Sequence, residues 1–247
     1  MSASLSININ KYALLRNSRG HDAPNLLDAS DTCINAGCHG ITVHPRRDER
    51  HIHFADVSVV AQHLSTVHPT IEYNVECEAH PALIDLVIDV APHQCTLVPV
   101  TAGEITSDHG WDLPSEADLL RPMVARLRDA GIRVSIFMDC VPQAMQRAAD
   151  IGVHRVELYT GPYAWAWGKA DRGEQTRLLW DSAAAASRAG LGVNAGHDLD
   201  RFNLAGVRDM PGLDEVSIGH AQICRALDVG TQQSVRELLS ALGYARG

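Results

Sequence analysis

The chain of 247 residues, 45% hydrophobic and free of long low-complexity tracts, can bury one large core or two small ones, and a single α/β barrel of about 250 residues suits that length. A net charge of −9 excludes a basic nucleic-acid-binding face, so any anionic ligand must be met by local groups. The six cysteines stand singly without a C-x-x-C pair, the chain starts without a basic segment leading into an apolar one, and no run of about 18 apolar residues occurs; the expectation is a soluble, cytoplasmic protein with reduced thiols and no membrane contact.

Short apolar runs predict strands near residues 5 to 9, 40 to 44, 71 to 75, 94 to 98, 132 to 138, 154 to 159, 191 to 195 and 214 to 218. Helical patterns lie between them at 55 to 66, 80 to 90, 116 to 130, 142 to 150 and 175 to 189, with one more at 234 to 242. A recurring junction joins the two: a helix ends on a small or apolar residue plus glycine, at 36–37, 130–131, 151–152 and 189–190, and a strand follows. Glycine supplies the left-handed cap that turns the chain back. Eight strands alternating with helices imply parallel pairing through right-handed crossovers, closed as one (β/α)8 TIM barrel with extra helices, spanning residues 1–247 as a single domain.

In such a barrel chemistry sits where strands end. The strand ends carry Asn8 and Asn10, His44 and Arg46, Glu72 and Asn74, Pro99 and Thr101, Asp139, Glu157 and Thr160, Asn194 and His197, and Gly219-His220. His44 ends strand 2 and leads into Arg46, Arg47 and Arg50 with His51 and His53, a loop fit to grip anions. His197 holds the equivalent place on strand 7, which strengthens both as proton-transfer groups. Alternation puts Glu72 and Asn74 on the inner face, making Glu72 either a buried ion-pair partner or a desolvated acid/base group. The turns Asn194–Asp198 and Ile218–Ala221 offer backbone N–H groups to a phosphate or are plain strand-to-helix turns. A metal held by His44, His51, His53 and His197 is disfavoured by the neighbouring arginines. With two lysines in the chain, Lys11 and Lys169, an enzyme Schiff base rests on Lys11, which follows strand 1.

These residues resemble the pyridoxine 5'-phosphate synthase family. The resemblance runs from about Ile7 to the C-terminus through residues 13–20, Gly40 to His51, Leu97-Val98-Pro99, Val193 to His197 and Ile218 to Ala221. It implies a (β/α)8 barrel assembled as a homo-octamer built from dimers, using no metal or organic cofactor. The implied reaction joins 3-amino-2-oxopropyl phosphate to 1-deoxy-D-xylulose 5-phosphate, giving pyridoxine 5'-phosphate, phosphate and water. It carries over His44 and Glu72 as proton acceptors and His197 as proton donor, with Asn8, Arg19, Gly219 and His220 on the aminoketone phosphate and Arg46, His51 and Thr106 on the sugar phosphate. The chain departs from the family pattern at Asn10-Lys11, where Asp-His is usual, at Asp198, where Gly is usual, and at Pro45. Asn10, Lys11 and Asp198 are therefore expected at the substrate, with Lys11 as a compensating phosphate or hydroxyl donor. The alternatives are a diverged barrel of aldolase or isomerase type acting on another phosphorylated ketose, and a non-catalytic phosphate-ester-binding paralogue.

Overall fold

Apolar residues recur at every second strand position, so each strand has one face to bury against helices and one to turn inward. In the computed structural model, which describes residues 2–101, 103–104 and 106–245, that alternation closes into a barrel. Strands β1 (Ser4–Asn8), β2 (Gly40–Val43), β3 (Glu72–Cys77), β4 (Gln94–Leu97), β5 (Arg133–Met138), β6 (Arg155–Tyr159), β7 (Gly192–Gly196) and β8 (Leu213–Ile218) pair in parallel in sequence order, and β8 returns to β1. Each predicted strand coincides with an observed one to within two residues.

The outer wall contains α1 (Asn10–Asn17), α2 (Leu26–Asn35), α3 (Phe54–Val67), α4 (Pro81–Val90), α5 (Leu113–Asp129), α6 (Met145–Asp150), α7 (Gly161–Trp165), α8 (Arg172–Arg188), α9 (His220–Val229) and α10 (Thr231–Ala241). Segment 142–150 opens on a 3-10 turn at Pro142–Ala144 before α6 begins. Between β7 and β8 the described chain makes a 3-10 turn at Leu204–Gly206 and no α-helix. The helices bury their apolar stripes against Leu5, Ile7, Ile41, Val43, Val75, Leu97, Val134, Ile136, Val156 and Val216 of the strands, all fully buried. The cysteines are free; Cys33, Cys38, Cys77 and Cys95 are buried as expected, whereas Cys140 is half-buried and Cys224 exposed. No described helix is long and apolar enough to cross a membrane.

The inner face is polar. Ser6 and Thr42 share a hydrogen bond of 2.7 Å, Asn74 donates to Thr42 Oγ1 at 3.3 Å, and Thr96 donates to Asn74 Oδ1 at 3.3 Å. Asn194 on β7 reaches across the barrel to Gln94 Oε1 on β4 at 3.3 Å, and the same oxygen accepts from Arg133 Nε at 2.9 Å. Leaving a buried polar group without a partner costs about 1–3 kcal/mol, so this network favours one strand register over its alternatives.

At the N-terminal rim three histidines extend the ladders. His39, His93 and His154 directly precede β2, β4 and β6, and their Nδ1 atoms accept the backbone N–H of Leu5 (3.1 Å), Tyr73 (3.0 Å) and Val134 (2.9 Å) of the preceding strands. An Nδ1 that accepts an amide hydrogen has no free lone pair for a proton, and burial holds the His39 and His154 rings below the ordinary value of 6.5. The unfolded chain takes up those protons first. The stability these rings contribute is therefore complete above about pH 6.5 and is lost as pH falls toward their lower folded values. Thermal melts from pH 7.5 to 5 are expected to show Tm falling below about pH 6.5. His39→Leu, which removes the most enclosed of the three acceptors, should cost about 1–2 kcal/mol at neutral pH and flatten that slope.

Candidate active site at the C-terminal mouth

Strand polarity sends the last inward residues of all eight strands to one rim, and most of the predicted residues gather there. His44 follows β2 and is buried; its backbone N–H donates to Asn10 Oδ1 at 2.9 Å, and its Nδ1 lies 3.3 Å from Glu76 Oε2. Its Nε2 is buried without a hydrogen-bond partner among the described residues. Burial, assisted by the Arg46 guanidinium, pushes the His44 imidazole down to about 4. Burial pushes the Glu76 carboxyl up to about 7 against a hydrogen bond from Asn8. The usual order of basicity is thereby inverted. An ionised Glu76 accepts from Nδ1–H and leaves the unpartnered Nε2 as the basic nitrogen of the ring.

The carboxylate predicted for this role, Glu72, is elsewhere. It opens β3 at the opposite rim, ion-paired with Arg133 and hydrogen-bonded to the buried Glu215. Residues 72, 74 and 76 share the inner face, but four residues of strand separate the first from the last by about 13 Å. The pattern gave the correct face and the wrong height, because Glu76 sits one step before the end of a strand that runs two residues further than predicted.

A second carboxyl at the mouth, Glu157, belongs to β6; its inward position brings it to the last residue of β7. Burial, and then the Glu76 charge, raises it well above the carboxylate range, so it is a neutral acid able to donate. A Cβ placed on Gly196 would come within 2.1 Å of Glu157 Oε1. Glycine at 196 is thus what makes room for this acid.

His197 comes directly after Gly196 with φ +83°, followed by Asp198 at +57°, a left-handed pair that costs about 1–3 kcal/mol per residue outside glycine. The surroundings hold it. Thr160 Oγ1 donates to the carbonyls of Gly196 (2.6 Å) and His197 (2.5 Å), Asn203 Nδ2 donates to the Asp198 carbonyl (3.0 Å), and Trp165 Nε1 donates to Asp198 Oδ2 (2.8 Å). The His197 ring packs against Phe137 and edge-on to Tyr159, with Nε2 3.3 Å from Thr106 Oγ1. Burial lowers its pKa against the opposing pull of Asp198. Asp198 itself, expected beside the substrate, is exposed and turned toward Trp165.

Cationic groups surround these neutral bases. Arg46 is buried and faces Glu104 at 3.4 Å, and Arg50 donates to the Glu104 carbonyl at 3.0 Å. His51 is buried, held by Asn17 Nδ2 on its carbonyl (2.7 Å), and its Nδ1 accepts from the Ile52 N–H (2.9 Å). Burial, then His44, Lys11, Arg46 and Arg50, presses its pKa to about 3. Lys11, in the first turn of α1 after β1, contributes to the lowering of both His51 and His197. Asn8 and Asn10 brace Glu76 and His44, respectively. Gly219, where a Cβ would sit 2.9 Å from the Asn8 carbonyl, leads into α9, whose N-terminal backbone N–H groups begin at His220. Arg19 is exposed past the end of α1; its backbone N–H donates to the Arg16 carbonyl at 3.2 Å, and its side chain makes no hydrogen bond or ion pair to another described residue. His53 caps α3 with Asp56 and does not converge with His44 and His197.

Gly196→Ala should lower unfolding free energy by about 1–3 kcal/mol through overpacking against Glu157. Adding Glu157→Ala to it should restore most of that loss in urea melts.

Comparison with known proteins identifies the family. The family described as "Pyridoxal phosphate biosynthesis protein PdxJ" matches residues 5–243. The pyridoxine 5'-phosphate synthase of Albidiferax ferrireducens is 46% identical over 252 residues, covering 100% of both chains. That of Bacteroides thetaiotaomicron is 44% identical over 239 residues, covering 96% of this chain and 98% of its own. Among solved structures, a 3-hexulose-6-phosphate synthase superposes with a TM-score of 0.64 at 12% identity, covering 96% of this chain and 99% of that one, a likeness of fold alone. Matched over nearly its whole length, the chain belongs to the pyridoxine 5'-phosphate synthase family of pyridoxal phosphate biosynthesis.

Proposed function

We propose that this barrel condenses 3-amino-2-oxopropyl phosphate with 1-deoxy-D-xylulose 5-phosphate to form pyridoxine 5'-phosphate, inorganic phosphate and water. The observation that carries the reading is the pairing of His44 Nδ1 with Glu76, which leaves an unpartnered buried Nε2 at the same mouth as His197. The substrate amine forms the Schiff base with the sugar ketone, so the protein has to move protons, assist loss of phosphate and hold two anions. His44 and Glu76 act as proton acceptors. His197 acts as donor, and Glu157, neutral beside Gly196, is a second donor within the mouth.

Two anion sites follow from the same layout. The N-terminus of α9 at Gly219 and His220, with Asn8 and Arg19, takes the aminoketone phosphate, while Arg46, His51 and Thr106 take the sugar phosphate. Lys11 adds its charge between them. Glu104 occupies Arg46 in the structure, so an arriving phosphate takes over that guanidinium. Assembly as a homo-octamer built from dimers belongs to the same proposal and predicts a mass in solution about eight times the chain's 26.8 kDa.

A second reading rests on Lys11, whose ammonium is the one lysine charge acting on the mouth histidines. As a nucleophile it would make the barrel an aldolase of another phosphorylated ketose. Borohydride trapping of a covalent adduct in the presence of substrate would favour that chemistry and count against the synthase.

The direct test is incubation with both phosphorylated ketones, expected to give pyridine-ring absorbance and one inorganic phosphate per turnover; a folded protein that yields neither overturns the proposal. Glu76→Gln should lower kcat by about 10²–10⁴-fold, whereas Glu72→Gln should leave it within about a few-fold. Because Glu76 must be ionised, kcat/KM is expected to rise with pH through about 7 and to lose that limb in Glu76→Gln.

A further inference from the structure

On the outer wall, remote from the mouth in function and built from different elements, two imidazoles converge on one carboxylate oxygen. Asp31 lies on α2; His63 lies in the last turns of α3, and His68 is the residue at which α3 stops. At His68 the backbone leaves helical geometry, with φ −131° and ψ 59°, which brings its ring beside that of His63, 5.7 Å between centroids in an edge-on arrangement. His63 Nε2 is 2.6 Å and His68 Nε2 2.8 Å from the same Asp31 Oδ1. The side chains are partly enclosed, 17%, 18% and 35% exposed, so a small ion reaches them from solvent without opening the fold.

We propose that Asp31, His63 and His68 form a binding site for a zinc-class divalent cation, which clasps α2 to α3. The ligand set, two imidazole nitrogens and one carboxylate oxygen, is one that Zn2+ accepts, with water completing a tetrahedron. All three ligand atoms lie within 4.8 Å of one another. Bonds of about 2.0–2.1 Å to a tetrahedral ion set ligands about 3.3 Å apart, so the present spacings need to open by roughly half an ångström, within reach of side-chain rotation.

The proton balance also permits it. A neutral imidazole ligates through Nε2 as its Nδ1–H tautomer, so exchange of one proton per ring from Nε2 to Nδ1 through water frees both ligand atoms with no net loss of protons. None of these residues belongs to the proposed catalytic set, and the site stands whether or not the synthase reading holds.

The test compares wild type with His63→Gln/His68→Gln after removal of bound metal with EDTA, both checked by circular dichroism. Isothermal titration with Zn2+ is expected to show one more equivalent per chain in the wild type, and Co2+ to give the visible bands of a four-coordinate site that the double variant lacks. Zn2+ should raise Tm of the wild type and not of the variant. Histidines and thiols elsewhere are common to both proteins and cancel in the difference. Asp31→Asn, which keeps an oxygen for the two rings to hydrogen-bond, gives the same readout should the double variant fold poorly. Equal stoichiometry and equal thermal shifts in wild type and the variants overturn the proposal.

Discussion

The closure of eight parallel strands with a polar interior is the constraint on which the rest depends. In a closed parallel barrel each inward side chain faces seven other strands, and the contact from Asn194 to Gln94 shows residues of β7 and β4 meeting across the axis. A one-residue slip of any strand would drive Leu, Ile or Val into that hydrogen-bonded interior and turn Ser, Thr and Asn against the helices. Register is therefore specified from both sides. The same register delivers Glu76, Glu157 and the residues after β2 and β7 to one rim.

Enclosure then sets the chemistry. Away from water, charge is costly unless paired, so His44, His51 and His197 are held neutral and Glu157 is held protonated. The basic side chains of Lys11, Arg46 and Arg50 belong to the same rim. What results is a mouth with neutral proton carriers inside and positive charge around them, an environment that attracts anions and moves protons between weakly solvated groups. The left-handed pair His197-Asp198 shows how firmly this rim is held: Thr160, Asn203 and Trp165 together bind a backbone geometry that non-glycine residues seldom adopt.

Much was legible in the sequence. The eight strands, the parallel closure and the placing of His44 and His197 at strand ends followed from period-two alternation and glycine-ended helices, both of which are local signals. Helices α1, α7 and α9 go beyond the predicted set; α7, with five residues, is too short to show a helical period. The histidine rungs at the N-terminal rim and the cluster of Asp31, His63 and His68 leave no such trace, since their partners lie one whole strand or helix away.

The sequence by itself thus determined the architecture and the two imidazoles, because alternation and chain direction are properties of each strand alone. The tertiary structure alone decided which carboxylate meets His44. Glu72 and Glu76 have the same parity and the same charge, and they differ only in height: one meets Arg133 at the entrance to the strands and the other meets His44 at their exit. It likewise turned Asp198 outward to an indole and set a neutral Glu157 over Gly196. Such outcomes depend on what stands opposite in space, and that is settled only when the first and last strands have paired.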